Sequence, residues 1–260
     1  LTAIFTLAVY TGLQKGIKFL GDVNMWVFIA VFLFVFVFGP TLFLINLTTN
    51  SIGQYLATLL PMSLYTAPGV AGNWLGDWTI FYWAWWISWS PFVALFIARI
   101  SKGRTIRETV AATLILPTLA DFLWYGVVGG AGIRFDVTGV LSEYGLESAI
   151  FATAQHLPLT GVLAVALFFL IATFFLTSAN SAALALSMFV SGKEDPGRNL
   201  RAFWGIALGA VAAVLAGTGS LQVIQTASIA TAFPLMFLLL SLLYGTFKGL
   251  REYRAEHKQS

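Results

Sequence analysis

Six long apolar runs constrain the fold of this sequence more than any other feature. A helix needs about 20 residues to cross a hydrocarbon core of about 30 Å. The runs cover residues 25–47, 78–100, 110–128, 159–190, 203–217 and 223–247, and a seventh, cut short, opens the chain. With 58% hydrophobic and 10% charged side chains, a soluble domain would lack the polar surface to cover itself. The sequence therefore predicts an all-α integral membrane protein with about seven transmembrane helices.

The basic residues fall almost entirely on one side of the membrane if these spans alternate in direction. They cluster after the first, third, fifth and last spans, and only Arg134 falls on the other side. Under the positive-inside rule that side is the cytoplasm, so the C-terminus is predicted to be cytoplasmic. The net charge of +3 is spread over short clusters beside spans, which argues against nucleic-acid binding.

Paired acids, a His-Asp set and metal ligands, the combinations that support catalysis, are missing from the predicted spans. The chain has no cysteine, and so neither disulfides nor thiolate metal sites. Asp121 is the one acid well inside a span, and a charge there is a functional candidate by default. A hydrogen bond to a neighbouring helix or a protonated state would explain it equally well. His156 has no recognisable catalytic partner, so we expect no enzyme activity.

Glycine and proline divide the sequence between the spans. Gly39-Pro40 predicts a bend in the second span, and Pro196-Gly197 a break after the fifth. Residues 12–24 are predicted to form a polar turn. The segment 51–77 is predicted to be external, and its apolar residues at helical spacing predict a short amphipathic helix along the outer interface. An irregular loop is the alternative for that segment.

The stretch FYWAWWISWSPF, residues 81–92, places four of the chain's nine tryptophans within seven residues. On an α-helix, residues separated by three or four positions share a face. That spacing predicts one continuous aromatic stripe, with Trp86 on its flank and Trp83 pointing away. Its members are Trp78, Tyr82, Trp85, Trp89, Phe92 and Phe96.

Three explanations compete for this stripe. An interfacial belt suits Trp78, but Trp85, Trp86 and Trp89 begin about 10 Å into the span. Helix packing is the second explanation, although membrane interfaces favour small residues and a buried indole N–H needs a partner. The third is a cage for a cation, because indole faces attract a quaternary ammonium group whose methyl groups leave no N–H to donate. Periodicity and depth alone leave packing and the cage open.

The run WTIFYWAWWISWSPFVALFIARISKGRTIRE, residues 78–108, resembles the signature of the betaine/carnitine/choline transporter family. The segments NMWVFIAVFLFVFVFGPTLFLIN and FFLTSANSAALALSMFVSG also resemble that family, so the similarity covers essentially the whole chain. The resemblance implies a twelve-span fold with two inverted five-helix repeats. Residues 1–50 would then end the first repeat of a longer protein. Residues 51–77 would form the external segment, 78–247 the complete second repeat and 248–260 a cytoplasmic tail.

The resemblance also implies roles for individual residues. Trp85, Trp86 and Trp89 would line a box around the trimethylammonium group, and Phe92 and Phe96 would lie on the path toward the cytoplasm. In FFLTSANS, Phe174, Thr177 and Ser178 match a sodium site, although hydroxyls inside spans usually back-bond to the preceding turn. Asn180 stands where the family has an acid, which leaves ion coupling open. The loop ISKGRTIRE, with Arg104 and Arg107, would serve gating and contact with anionic lipids, or simply orientation.

The function implied by the resemblance is secondary active import of glycine betaine, choline or carnitine by alternating access, with sodium as a possible coupling ion and no other cofactor. The alternative is a membrane sensor of osmotic state or of a quaternary ammonium ligand that does not transport. The expected partners are the substrate and the lipid bilayer of the plasma membrane, and the family implies a homotrimer.

Overall fold

The computed structural model describes residues 14–70, 72–193, 195–217 and 221–256, and these residues form helices and short connections without a strand. The α-helices are α1 Gln14–Phe38, α2 Thr41–Ser63, α3 Phe81–Ile100, α4 Ile106–Trp124, α5 Gly130–Phe135, α6 Thr138–Tyr144, α7 Ala149–Gln155, α8 Thr160–Ser191, α9 Arg198–Gly217 and α10 Leu221–Glu256. The π-helical segments Leu75–Ile80 and Tyr125–Gly129 precede α3 and join α4 to α5, and a 3-10 turn, Leu146–Ser148, precedes α7.

Six stretches of the described residues are long and apolar enough to cross a membrane: Phe19–Phe38, Leu75–Ala98, Ile106–Phe135, Thr160–Ser191, Arg198–Leu215 and Gln225–Tyr253. They follow the six long apolar runs of the sequence in order, which confirms the all-α membrane fold. The cut-short run that opens the chain lies outside the described residues.

The described residues divide into two compact units. One contains the chain up to Tyr65 together with Ile100–Ile206, and the other contains Thr66–Arg99 together with the chain from Ala207 onward. The aromatic stripe belongs to the second unit, whereas Phe174, Thr177 and Ser178 belong to the first.

The core of the first unit forms where α1 packs along α8. Asn24, Phe28, Val31 and Val35 recur at intervals of four, three and four residues, so they share one face of α1. That face contributes to an apolar cluster that includes Leu163, Leu167 and Leu170 of α8. Because lipid is as apolar as leucine, such helices are held by close packing and hydrogen bonds rather than by escape from water.

Glycines allow α2 to approach the π-helical segment after α4 and the start of α5. A Cβ atom on Gly126 would overlap the Thr48 side chain, and one on Gly130 would lie 3.0 Å from Leu47 and 3.1 Å from Leu44. Gly126 and Gly130 are four residues apart, the spacing of small residues at close membrane-helix contacts.

The bend at Gly39-Pro40 is confirmed, since α1 ends at Phe38 and α2 begins at Thr41. Pro40 has no N–H to offer the Phe36 carbonyl four residues earlier. The Thr41 hydroxyl donates to that oxygen instead, at 2.7 Å. A hydroxyl beside the proline thus replaces the lost backbone hydrogen bond, which keeps the bend free of an unpaired carbonyl. The predicted break after the fifth span is also confirmed, because α8 ends at Ser191 and α9 begins at Arg198.

Helices extend beyond three boundaries that the sequence suggested. The turn predicted at residues 12–24 is wrong from Gln14 onward, because α1 begins there and Asn24 packs against α8. The amphipathic segment after residue 50 continues α2 and is not a separate helix. The last helix runs through residues 248–256 of the predicted tail. The boundaries of the two family repeats stay predictions.

Candidate functional site

The aromatic stripe is built on α3 and on the π-helical turn before it. Phe81–Ile100 contains no acidic residue, and Pro91 lies within the helix. Trp78 lies in the π-helical segment rather than in an α-helix, which corrects the uniform α-helical spacing assumed for the stripe. Its ring nevertheless stacks on Tyr82, with centroids 6.0 Å apart and planes 6° apart.

Ring contacts organise the stripe into two groups. The first group contains Trp78, Phe81, Tyr82 and Trp85. The ring centroid of Trp85 lies 6.0 Å from that of Tyr82 and 5.5 Å from that of Phe81. The second group, further along α3, pairs Trp89 with Phe92 edge to face, with ring centroids 6.1 Å apart. The two groups are one helical turn apart, which is about 5.4 Å along the axis.

The exposure of the indoles separates the stripe from its neighbours. Trp85 and Trp89 are 43% and 39% exposed, whereas Trp83 and Trp86 are 67% and 68% exposed. Other groups therefore cover part of each stripe tryptophan, and the rest of its ring surface is open to a ligand. Trp86, predicted to line the same box, lies as open as Trp83 and is the least supported of the three. Phe92 is half-buried and Phe96 is exposed.

The two serines of WWISWSPF have distinct contacts that the sequence did not reveal. Pro91 frees the carbonyl of Ile87, and the Ser90 hydroxyl donates to that oxygen at 2.6 Å. The Ser88 hydroxyl donates across to the Ser228 carbonyl of α10 at 2.9 Å. It also lies 3.2 Å from the Thr231 hydroxyl.

The predicted sodium residues lie on α8 in the first unit. The Thr177 hydroxyl lies 3.0 Å from the carbonyls of Thr173 and Phe174, so it back-bonds as isolated hydroxyls in membrane helices do. Its oxygen keeps lone pairs for a cation. The Ser178 side chain is exposed. Two hydroxyls and the Phe174 carbonyl are hard oxygen ligands of the kind that suits sodium, but they form only part of a coordination shell.

A buried polar pair supports this part of α8. Thr173 and Asn24 are both nearly inaccessible, and the Thr173 hydroxyl lies 2.7 Å from Asn24 Oδ1 and 2.7 Å from the Phe169 carbonyl. One hydroxyl proton serves only one acceptor, so a flipped Asn24 amide that donates to Thr173 satisfies both contacts. Beside this pair, Phe174 meets Phe28 edge to face at 6.5 Å.

Asp121 opens into an aromatic cavity of about 270 Å³ that is also lined by Phe28, Trp124 and Phe174. Its side chain is exposed, and it forms no hydrogen bond or ion pair with any residue that the structure describes. The proposed hydrogen bond to a neighbouring helix is therefore not found within the described part of the chain. No group of three or more His, Cys, Asp or Glu side chains able to hold a metal ion occurs among the described residues.

The loop ISKGRTIRE has a structural explanation. Gly103 adopts a positive φ of 85°, which favours glycine, and the Thr105 hydroxyl accepts from the Glu108 N–H at 3.2 Å. Glu108 Oε2 in turn accepts from the Thr105 N–H at 3.0 Å. This reciprocal capping box starts α4, and the T-x-x-E spacing in the sequence is its signature.

Comparison with known proteins gives a consistent result. The family described as "BCCT, betaine/carnitine/choline family transporter" matches residues 1–255. A probable glycine betaine transporter of Desulfitobacterium hafniense is 42% identical over 260 residues, covering 96% of this chain and 52% of that protein. The glycine betaine transporter OpuD of Bacillus subtilis is 40% identical over 264 residues, covering 100% of this chain and 52% of that protein.

The similarity includes a transporter named for a different solute. An ectoine/hydroxyectoine transporter of Virgibacillus pantothenticus is 38% identical over 239 residues, covering 90% of this chain and 48% of that protein. The chain spans about half the length of the curated relatives it matches. Over that span it has the apolar helices of a multi-pass membrane protein. Family match, relatives and helices agree: the chain belongs to the betaine/carnitine/choline family, which consists of transporters and not of enzymes.

Proposed function

We propose that the natural full-length protein imports a quaternary ammonium solute such as glycine betaine, choline or carnitine by alternating access, coupled to an ion. The observation that carries this proposal is the partly exposed aromatic stripe on α3, with Trp85 and Trp89 near the middle of a membrane span. Two relatives are named as glycine betaine transporters, which supports this solute class.

The chemistry of the stripe suits a methylated cation. Each indole face attracts a desolvated cation by about 0.5 to 2 kcal/mol, so Trp85, Trp86 and Trp89 together supply several kcal/mol. The helix that carries them has no carboxylate to supply the attraction instead. Ring faces hold the methyl groups and the charge at once, whereas a carboxylate would leave the methyl groups without a surface.

The hydroxyls of Thr177 and Ser178, with the Phe174 carbonyl, are proposed as one side of a sodium site. Sodium is bound by hard oxygens, and transporters often take these from helix carbonyls and hydroxyls near the membrane centre. Asn180 removes the negative charge that the family pattern places nearby, so sodium-independent exchange is the competing outcome. We also retain assembly as a homotrimer as a proposal.

The test is uptake of labelled glycine betaine and choline by the natural full-length protein and by Trp89→Leu. Loss of one cation–π contact of about 1 to 2 kcal/mol is expected to raise the KM for uptake about fivefold to thirtyfold. Trp83→Leu is the matched control, because Trp83 lies on the same helix but away from the stripe, and its KM is expected to match the wild type.

Each alternative predicts a different result. An unchanged KM in Trp89→Leu would reject the aromatic site. Saturable binding without uptake in reconstituted vesicles would reject transport and favour a sensor. Uptake of ectoine alone would move the proposal to a different solute class.

A further inference from the structure

Ser88 connects the tryptophan helix to the last helix of the chain. It lies one residue before Trp89 and three after Trp85. Its hydroxyl donates to the Ser228 carbonyl at 2.9 Å and lies 3.2 Å from the Thr231 hydroxyl. Ser88 and Ser228 are both in the second unit of the fold, so the connection is internal to one compact body.

This use of a hydroxyl differs from that of many other hydroxyls in the helices, which bond within their own helix. Ser241 in α10 and Thr118 in α4 each back-bond to the carbonyl four residues earlier in the same helix. Thr231 also has acceptors within its own helix, 3.0 Å away at Ala227 and Ser228. The proton of Ser88 therefore goes across to α10, and Thr231 needs nothing from Ser88 to be satisfied.

Small residues surround the connection on both helices. Ala84 lies one turn before Ser88 and Ala232 one turn after Ser228, and both are buried. Small side chains at intervals of four residues let membrane helices approach closely enough for hydroxyl-to-backbone hydrogen bonds. The hydrogen bond therefore lies beside a buried alanine on each helix, while Ser88 and Ser228 themselves are half-buried.

The position of Ser88 around α3 decides what the connection can control. At about 100° per residue, Ser88 lies about 60° from Trp85 and about 100° from Trp89, so it flanks the stripe without belonging to it. A rotation of α3 by about 20° would move a ring at the helix surface by about 2 Å. Binding sites lose affinity with displacements of that size.

We propose that Ser88 is a positioning residue for the aromatic site: its hydrogen bond to α10 fixes the rotation of α3, and with it the direction in which Trp85 and Trp89 present their rings. The effect on solute affinity rests on the proposed function. The effect on the rings does not, and it can be measured without any solute.

The first experiment reads the rings directly. The natural full-length protein is labelled with 5-fluorotryptophan in lipid nanodiscs, and its ¹⁹F NMR signals are assigned by single Trp→Phe variants. Ser88→Ala is expected to shift the signals of Trp85 and Trp89 and to leave those of Trp26 and Trp124, in the first unit, in place. Ser241→Ala removes a hydroxyl from α10 that does not contact α3 and is expected to shift none of them.

The second experiment reads affinity, using uptake of labelled glycine betaine and choline. Ser88→Ala is expected to raise KM about threefold to tenfold, the range for loss of one interhelical hydrogen bond, with kcat retained. Ser88→Thr keeps a hydroxyl and is expected to restore KM to within about twofold. Ser88→Ala combined with Trp89→Leu is expected to give less than the product of the two single effects, because one acts through the other.

The outcomes separate the two proposals. Unshifted Trp85 and Trp89 signals in Ser88→Ala would overturn the positioning role, whatever the protein transports. Shifted signals with an unchanged KM would overturn the link between ring direction and affinity. Shifted signals in a protein that neither binds nor takes up a quaternary ammonium solute would support the positioning role and reject the proposed function.

Discussion

At the scale of single residues, a hydroxyl that donates to its own helix can still bind a cation through its oxygen. Thr177 donates its one proton into its own helix, toward the carbonyls of Thr173 and Phe174. Donation of that proton concentrates negative charge on the hydroxyl oxygen, whose lone pairs remain unused. The intrahelical bond that argues for a purely structural threonine therefore also fits a threonine that binds an ion.

We predict that Thr177→Val raises the sodium concentration for half-maximal uptake about tenfold or more, which is the scale of one contact between a neutral oxygen and a charge. The KM for glycine betaine at saturating sodium should change little. The control is Thr118→Val, since that hydroxyl is also back-bonded but lies on a different helix. Wild-type uptake that is independent of sodium would reject the sodium site and favour exchange.

The residues of the site differ in how far the sequence reveals them. The stripe of Tyr82, Trp85 and Trp89 is predictable, because helical periodicity is local. The partner of Ser88 is 140 residues away and that of Thr173 is 149 residues away. Ser and Thr occur throughout the apolar spans, so no local pattern marks the ones that bond to another helix.

At the scale of helices, two hydroxyls beside prolines compensate for the missing N–H. Thr41 follows Pro40 and Ser90 precedes Pro91, and each donates to the carbonyl that its proline leaves free. The sequence predicted the bend at Pro40 and a freed carbonyl at Ile87, since both consequences follow from the proline ring. It did not predict that the Ser90 hydroxyl donates to that carbonyl, because hydroxyl rotamers depend on local geometry.

The start of α4 provides a test at this scale. Thr105→Ala removes the acceptor for the Glu108 N–H, and we predict a loss of unfolding free energy of about 1 kcal/mol. Denaturant unfolding of the purified protein measures this. Thr105→Ser keeps the capping oxygen, so its free energy of unfolding should match that of the wild type. Equal stability of Thr105→Ala and Thr105→Ser would show that the capping box does not stabilise the helix.

The π-helical segments and the early start of α1 were beyond the reach of the sequence. Leu75–Ile80 and Tyr125–Gly129 have no compositional signature that separates them from α-helix. Residues 14–24 contain two glycines and read as a turn, but Asn24 is buried against Thr173 of α8. Tertiary contact overrode local propensity there.

At the scale of the whole molecule, the distribution of charge predicts how the helices cross the membrane. Four basic clusters follow alternate spans, and Arg134 is isolated near a segment predicted to be external, with its guanidinium 5.9 Å from the Phe43 ring. Lys and Arg near the ends of spans favour the cytoplasmic side. With spans alternating, this rule predicts that residue 142 is external and residue 193 cytoplasmic.

The absence of cysteine from this chain makes that orientation measurable. We predict that Ser142→Cys, in the natural full-length protein freed of any other cysteine, reacts with a membrane-impermeant maleimide in intact cells. Lys193→Cys should react only after the membrane is permeabilised, because residue 193 follows the next span. The reversed pattern would place the C-terminus outside. With spans alternating, it would also place the four basic clusters outside the cell, which contradicts the positive-inside rule.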